Sequence, residues 1–427
     1  MNILAVSSLV ILVALFLKVP VFVALLTGSA IYFWFEPGVT PMIFAQRAIT
    51  GVESIPLLAI PFFVAAGVFM TYSGIAQRIL TFCEVITGRM TGGLAQVNVL
   101  MSMVMGGLSG SNIADAAMSA RMLVPIMEEK GYSKAFSTVL TATSSILTPL
   151  IPPGIAMIIY GTISGVSIGQ IFMGGFALAF LRLVGLMGLV HVIAKKRGYK
   201  PMRTEKVSVR TFGTAFKPAI LALFLPVVIV GGIRLGVITA TEAGAIATLY
   251  AVLLGLFYRQ LTLQDTFKGI KETITATSSI MLIIAAASTY SWVLTREQIP
   301  QALATMMLTT IHSPMLFMMV VVVFVTLVSL FIEGNALMLV LVPILAPIAR
   351  SYGIDDVHFA MVYIATASLG ALTPPVGTLM FVTCSITGCK TKDFIQEAVP
   401  FYLMLFGILI LTIFFPQLVL WLRDLVY

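Results

Sequence analysis

Apolar residues recur along this chain in long unbroken runs, without the strict alternation of half-buried strands or the one-sided stripe of soluble amphipathic helices. A helix that crosses the hydrocarbon core of a bilayer needs about 20 predominantly apolar residues. Runs of that kind occupy 3–17, 19–35, 53–71, 169–194, 218–235, 237–257, 273–294 and 399–422. Four further apolar stretches are interrupted. Residues 92–127 and 314–350 break near their middles, at Gly110-Ser111-Asn112 and Glu333-Gly334-Asn335, which predicts hairpins that enter and leave the membrane on one side. Residues 135–165 and 357–388 carry Pro152-Pro153 and Pro374-Pro375, which predicts helices broken part-way across. Four shorter, more amphipathic pieces, 39–50, 75–89, 298–312 and 390–397, predict arms at the membrane surface. Residues 3–35 read as two joined spans without a small-residue cleavage site, so no cleavable signal peptide is expected.

Composition agrees. Of 427 residues, 59% are hydrophobic and 10% charged, where a soluble domain carries roughly 25% charged. Mean hydropathy is +1.07. So few charges cannot clothe a water-soluble globule, and continuous runs of helical length exclude a β-barrel. The chain is expected to be an all-α polytopic membrane protein. Cys83, Cys384 and Cys389 are too scattered for a disulfide framework or zinc site. His191, His312 and His358 lie far apart and no HExxH occurs, which argues against a zinc protease.

The net charge of +8 has a topological reading. Lysine and arginine concentrate on cytoplasmic loops. The segment running from Lys195-Lys196-Arg197 to Lys217 is therefore cytoplasmic. With the two Gly/Asn-broken stretches as hairpins, eighteen of the 25 Lys and Arg fall inside and five (Arg47, Arg234, Arg296, Arg350, Arg423) outside, while Arg121 and Arg182 lie within the membrane. Both termini are then extracytoplasmic.

The two halves repeat each other. Leu123-Val124-Pro125-Ile126, Gly131-Tyr132, Pro152-Pro153, Met157 and Ile163-Ser164-Gly165 return as Leu341-Val342-Pro343-Ile344, Tyr352-Gly353, Pro374-Pro375, Met380 and Ile386-Thr387-Gly388, at offsets of 218 to 223 residues. On this topology the first hairpin enters from the cytoplasm and the second from outside, so the repeats are inverted. Inverted repeats with paired broken helices mark secondary transporters, whose sites lie between the repeats near the midplane. Irregular backbone survives at membrane depth only against protein or a water-filled cavity. There freed carbonyls coordinate cations and helix N-termini face anions.

Candidate site residues follow from the breaks. Ser109, Ser111 and Asn112 at the first tip offer hard oxygen ligands, and Asp115 is an acid at membrane depth. The structural alternative for Asp115 is an aspartate that stabilises the start of the second half-helix. Gly334 and Asn335 repeat the pattern at the second tip, beside Glu333, for which pairing with a neighbouring arm is the alternative. Thr141, Thr143, Ser144, Ser145 and Thr148 precede Pro152 on one side, and Thr366, Ser368 and Thr373 precede Pro374 on the other. Each hydroxyl alone can simply bond its own helix. Hydroxyls and free carbonyls without a carboxylate cage suit Na⁺ better than a divalent ion. The first substrate half-site is thus read as Ser109, Ser111, Asn112, Asp115, Thr148 and Pro152. The Na⁺ ligands are read as Ser109, Asn112, Ser144, Ser145, Gly334, Asn335, Thr366, Thr373 and Pro374. Gly107-Leu108-Ser109-Gly110 also matches the Gly-x-Ser-Gly of rhomboid-like intramembrane serine proteases, but no histidine base reaches a tip on this topology.

Taken together, the motifs resemble a known family. Ile60-Pro61-Phe62-Phe63, Gly92-Gly93-Leu94-Ala95, Ser109-Gly110-Ser111 with Ala114-Asp115, Gly131-Tyr132, Thr239 with Thr241-Glu242-Ala243, Gly353-Ile354-Asp355 with His358-Phe359, and Thr373-Pro374-Pro375-Val376-Gly377 occur in the order and spacing of the large membrane (M, DctM-like) subunit of tripartite ATP-independent periplasmic (TRAP) transporters. The resemblance covers essentially the whole chain and leans toward the sialic-acid type. Departures are Gly154 where the family often has Ser, Ala240 for a usual Pro, and Ala360 for a usual Gly. The first could remove a hydroxyl from the site.

The resemblance implies Na⁺-driven import of an organic anion, a sialic acid or C4-dicarboxylate, by an elevator movement. It implies delivery by a periplasmic substrate-binding protein and a small Q subunit, here expected as a separate chain. The location implied is the bacterial inner membrane. The expected organisation is N-terminal scaffold and arm (1–90), transport repeat one (91–168), scaffold with basic loop and arm (169–313), transport repeat two (314–390), and a C-terminal arm and helix (391–427). A stand-alone Na⁺/carboxylate symporter is the alternative within transport, and the intramembrane protease the alternative outside it.

Overall fold

The computed structural model describes residues 3–17, 19–204, 207–374 and 377–427. Among these residues the regular structure is entirely helical: α1 (Ile3–Phe16), α2 (Val21–Phe35), α3 (Met42–Thr50), α4 (Ala59–Tyr72), α5 (Ile75–Thr87), α6 (Gly93–Ser109), α7 (Asn112–Glu129), α8 (Lys134–Ser144), α9 (Ile155–Ser164), α10 (Ile168–Arg197), α11 (Val209–Arg234), α12 (Ala240–Phe257), α13 (Leu263–Arg296), α14 (Ile299–Thr310), α15 (Pro314–Ser329), α16 (Gly334–Ser351), α17 (Asp356–Gly370), α18 (Thr378–Thr387), α19 (Thr391–Phe414) and α20 (Gln417–Val426). Short 3₁₀ turns precede α4 (Ile55–Leu58) and follow α8 (Ser145–Leu150).

Several helices outrun the apolar windows that predict them. Ser208 caps α11, accepting from the Thr211 amide at 3.1 Å, so the helix begins before its apolar stretch. Thr262 caps α13 in the same way, and the polar turns through Lys268 and Glu272 join the membrane helix. The C-terminal stretch departs from expectation. Residues 390–397 form no separate arm but the first turns of α19, and 399–422 is no single span. The chain breaks at Phe415 (φ −124°, ψ 79°), which precedes Pro416 and so leaves the helical region, and amphipathic α20 follows.

The helices pack in two neighbourhoods that also touch each other, through α5 and α4 on α6 and α13 on α16. In one, α4 lies against α12 and α13, α13 against α2, and α11 against α5 and α12. In the other, the hairpins α6–α7 and α15–α16 enclose the two broken segments. Their arms cross between repeats: α7 packs on α18, and α9 on α16. Helix α10, which lies within the 169–313 segment, packs against α6, α9, α17 and α19. Its Arg182 is completely buried and donates from Nη2 to the Ala365 carbonyl of α17 at 3.2 Å.

Each break has a local cause. Gly110 ends α6 at φ +60°, and a side chain there would put its Cβ 2.9 Å from the Pro153 carbonyl oxygen, so glycine is required for both reasons. Ser111 then caps α7 through the Ala114 amide at 3.4 Å. After α8 the 3₁₀ turn contains Pro149, and extended backbone at Ile151 and Gly154 leads into α9; the Pro152-Pro153 bond is cis. In the second half α17 ends at Gly370 and α18 starts after Gly377, with Pro374 in the turn between them; Pro375 and Val376 lie outside the described residues.

Candidate functional site

The four breaks meet. A cavity of about 400 Å³ is lined by Ser109, Ser111 and Asn112 of the first hairpin, by Ser329, Glu333, Gly334 and Asn335 of the second, and by Pro149, Ile155 and Ala156 beside the first broken segment. Ile364, Ala367, Ser368, Gly370 and Ala371 of α17 and its end, with Gly377 and Thr378 at the start of α18, complete that side. The N-termini of α7, α9, α16 and α18 all border this space. Each brings the positive end of its dipole; α9 and α18 carry no side-chain cap, whereas first-turn N–H groups of α7 and α16 are already taken by Ser111, Asn112 and Glu333. No Lys or Arg lines the cavity among the described residues. Facing the breaks is a wall from the other helix group: Val64, Gly67, Val68 and Thr71 of α4, and Glu272, Ala276 and Ile280 of α13.

The second tip's carboxylate has a defined task. Glu333 caps α16, accepting from the Ala336 amide at 3.0 Å, while Asn335 Nδ2 donates to its other oxygen at 2.9 Å. At the first tip, Asn112 Oδ1 accepts from the Ile113 amide at 2.9 Å.

Of the residues read as substrate or Na⁺ ligands, five line the cavity: Ser109, Ser111, Asn112, Gly334 and Asn335; Glu333 and Ser368, singled out beside them, line it too. Asp115, Thr148, Pro152, Ser144, Ser145, Thr366, Thr373 and Pro374 do not. Asp115 is 1% exposed and lies behind the first tip, with the hydroxyls of Ser102, Ser119 and Thr148 around its carboxylate. The Ser102, Ser119 and Thr148 hydroxyls are the groups placed to donate to that carboxyl, although none of these contacts, nor any from Ser109, reaches full hydrogen-bond geometry among the described residues. Ser144 joins a network with Asn98 and Ser102, at 3.2 and 3.0 Å. Ser145, Thr366 and Thr373 donate to carbonyls of their own segments, at 2.8, 2.6 and 3.3 Å. A hydroxyl that gives its proton to a carbonyl keeps its lone pairs for a cation.

Sequence reasoning missed the wall. Val64, Gly67, Ala276 and Ile280 look like any lipid-facing helix residue, and Glu272 fell just outside the predicted span 273–294. The only available signals were a glycine inside an apolar run and an acid at its edge. The protease alternative fails on geometry. His358 Nε2 is 2.8 Å from the Thr412 carbonyl oxygen, away from the tips, and neither His191 nor His312 lines the cavity with Ser109.

Two sets of paired, broken helices around one cavity, faced by a wall of membrane helices, are the architecture of a membrane permease. Residues 8–418 match the DctM component of the tripartite ATP-independent periplasmic transporters, and the chain belongs to that family. It is 38% identical to the sialic acid TRAP transporter large permease SiaM of Vibrio cholerae, over 89% of each chain. It is 35% identical to the 2,3-diketo-L-gulonate large permease YiaN of Escherichia coli, over 92% of each. With the C4-dicarboxylate large permease DctM of Pseudomonas aeruginosa it shares 36% identity over 85% of each. Its fold resembles that of the Alcanivorax borkumensis YdaH transporter (TM-score 0.64, 13% identity, 98% of each chain covered). These relatives are permease subunits, not enzymes. The chain is a multi-pass bacterial inner-membrane protein of a family that works with a small membrane subunit and a periplasmic binding protein.

Proposed function

We propose that this chain imports an organic carboxylate, driven by Na⁺, through an elevator movement of the body that carries both hairpins and both broken segments. The substrate class is a sialic acid or C4-dicarboxylate, as the names of its relatives suggest. A periplasmic binding protein delivers it, and a small Q subunit supports the permease. One observation carries the reading: four helix N-termini surround a cavity with no basic side chain in its lining. Such ends favour a carboxylate without fixing its identity.

Na⁺ has its own oxygens in this reading. Carbonyls at the breaks, the hydroxyls beside them and the Asp115 carboxyl group form a cation environment behind the tips. Asp115 is therefore assigned to Na⁺ rather than to substrate, because it lies off the cavity among hydroxyls, where a bound cation would favour its ionised form. On the topology read from the Lys/Arg distribution, the wall residues Thr71 and Glu272 belong to the cytoplasmic ends of α4 and α13, which supports reading the cavity as inward-facing.

Reconstituting the permease with its Q subunit in proteoliposomes, with binding protein outside, tests this directly. Uptake of sialic acid, a C4-dicarboxylate or 2,3-diketo-L-gulonate should require binding protein and rise steeply with an inward Na⁺ gradient. Full uptake driven by a proton gradient alone in K⁺ buffer would refute Na⁺ coupling. Undiminished uptake without binding protein would favour the stand-alone symporter.

A further inference from the structure

We infer that Glu272, on the wall helix α13, is a release element: a carboxylate that meets the anionic substrate only when the site faces the cytoplasm, and lowers its affinity there. The inference rests on the elevator reading above and adds a residue and a direction to it.

Glu272 lies at the cytoplasmic end of the cavity wall. One helical turn and two turns further along the same face come Ala276 and Ile280, both lining the cavity and both uncharged. The facing row of α4, Val64, Gly67 and Val68, is likewise apolar and ends at Thr71, an uncharged residue whose hydroxyl donates to the Gly67 carbonyl at 3.1 Å. A site moving along this wall thus passes apolar surface and meets a single carboxylate at one end. Tyr72, at the end of α4, donates its hydroxyl to Glu272 Oε1 at 2.7 Å, which holds the carboxylate in place. No cation neutralises it: Glu272 takes part in none of the ion pairs formed among the described residues.

The sign of the effect differs for the two solutes. A fixed negative charge beside the inward-facing site repels a carboxylate and attracts Na⁺. Release of substrate is favoured, and rebinding of the anion from the cytoplasm is suppressed. At roughly 10 Å, partly screened, one unit charge changes affinity by about threefold to tenfold.

Trans-inhibition separates this from a structural role. Proteoliposomes containing the complete system, with binding protein outside only, are loaded with graded internal Na⁺ or graded internal substrate, using the carboxylate that the wild type is found to import. In Glu272→Gln, internal substrate should inhibit at about threefold to tenfold lower concentration, whereas internal Na⁺ should inhibit less. The dependence on external loaded binding protein should not change. Glu272→Asp should behave as wild type, and Tyr72→Phe should shift both constants in the same directions as Glu272→Gln but less. Unchanged constants in Glu272→Gln, or a shift of both toward stronger or toward weaker inhibition, would overturn the inference. Absence of any Na⁺-driven uptake by the wild type would instead overturn the proposed function.

Discussion

Asp115 concentrates the chemistry of the first tip in one side chain. A carboxyl group excluded from water and met only by hydroxyls is poorly accommodated as an anion unless a cation or proton joins it. Three hydroxyls, of Ser102, Ser119 and Thr148, surround it. An oxygen-rich pocket with one negative charge suits Na⁺, and removing the charge while keeping the shape isolates that role. Asp115→Asn should keep part of the uptake but raise the Na⁺ concentration for half-maximal rate by about tenfold, the scale of one unit of charge at short range. Asp115→Ala, which loses charge and oxygens together, should lose nearly all uptake while inserting normally. Na⁺ titration of initial rates at saturating binding protein checks this. If Asp115→Ala responds to Na⁺ like the parent, Asp115 only stabilises the start of α7.

Among the elements, α4 and the first hairpin approach closely at Gly67. A Cβ on Gly67 would lie 2.5 Å from the carbonyl oxygen of Ser109, so only glycine lets the wall approach the tip this closely. Gly67→Ala sets two effects against each other. Alanine favours a helix interior by about 1 kcal/mol over glycine, whereas its methyl group collides with the tip in this state. The variant should be at least as heat-resistant as the parent in detergent, yet import about tenfold more slowly. Equal uptake rates would mean that the close approach plays no part in the cycle. The same contact explains what the sequence could disclose. Breaks were legible because Gly110, Gly334, Pro152 and Pro374 punctuate otherwise uniform apolar runs, and hydroxyls beside a break have an evident use. The wall was not legible, because a helix facing a cavity and one facing lipid have the same apolar composition. The starts of α11 and α13 were misjudged for a related reason: caps at Ser208 and Thr262 act outside the apolar window that hydropathy measures. Pro416 carried a usable signal for ending α19 that the amphipathic reading of 390–397 obscured.

At the scale of the whole molecule, both hairpins contribute to one cavity, so moving either alone would dismantle it. The cross-packing of α7 on α18 and α9 on α16 ties the repeats into a body. The buried Arg182, held by the Ala365 carbonyl, fastens α10 to that body rather than to the wall. Movement should therefore separate the hairpins, broken segments, α10 and α19 from the group containing α4, α11, α12 and α13. Cysteine pairs read this out in a background lacking the buried native Cys83, Cys384 and Cys389. Crosslinks joining α7 to α18, α9 to α16, or α10 to α17 should leave uptake intact. A crosslink between Val68→Cys on α4 and Asn112→Cys at the first tip, both lining the cavity, should abolish uptake until a reductant is added. If the α10–α17 crosslink alone stops transport, α10 belongs with the wall, as its place within 169–313 first suggested. Transport that survives the α4 crosslink and fails with α7–α18 would exclude an elevator altogether.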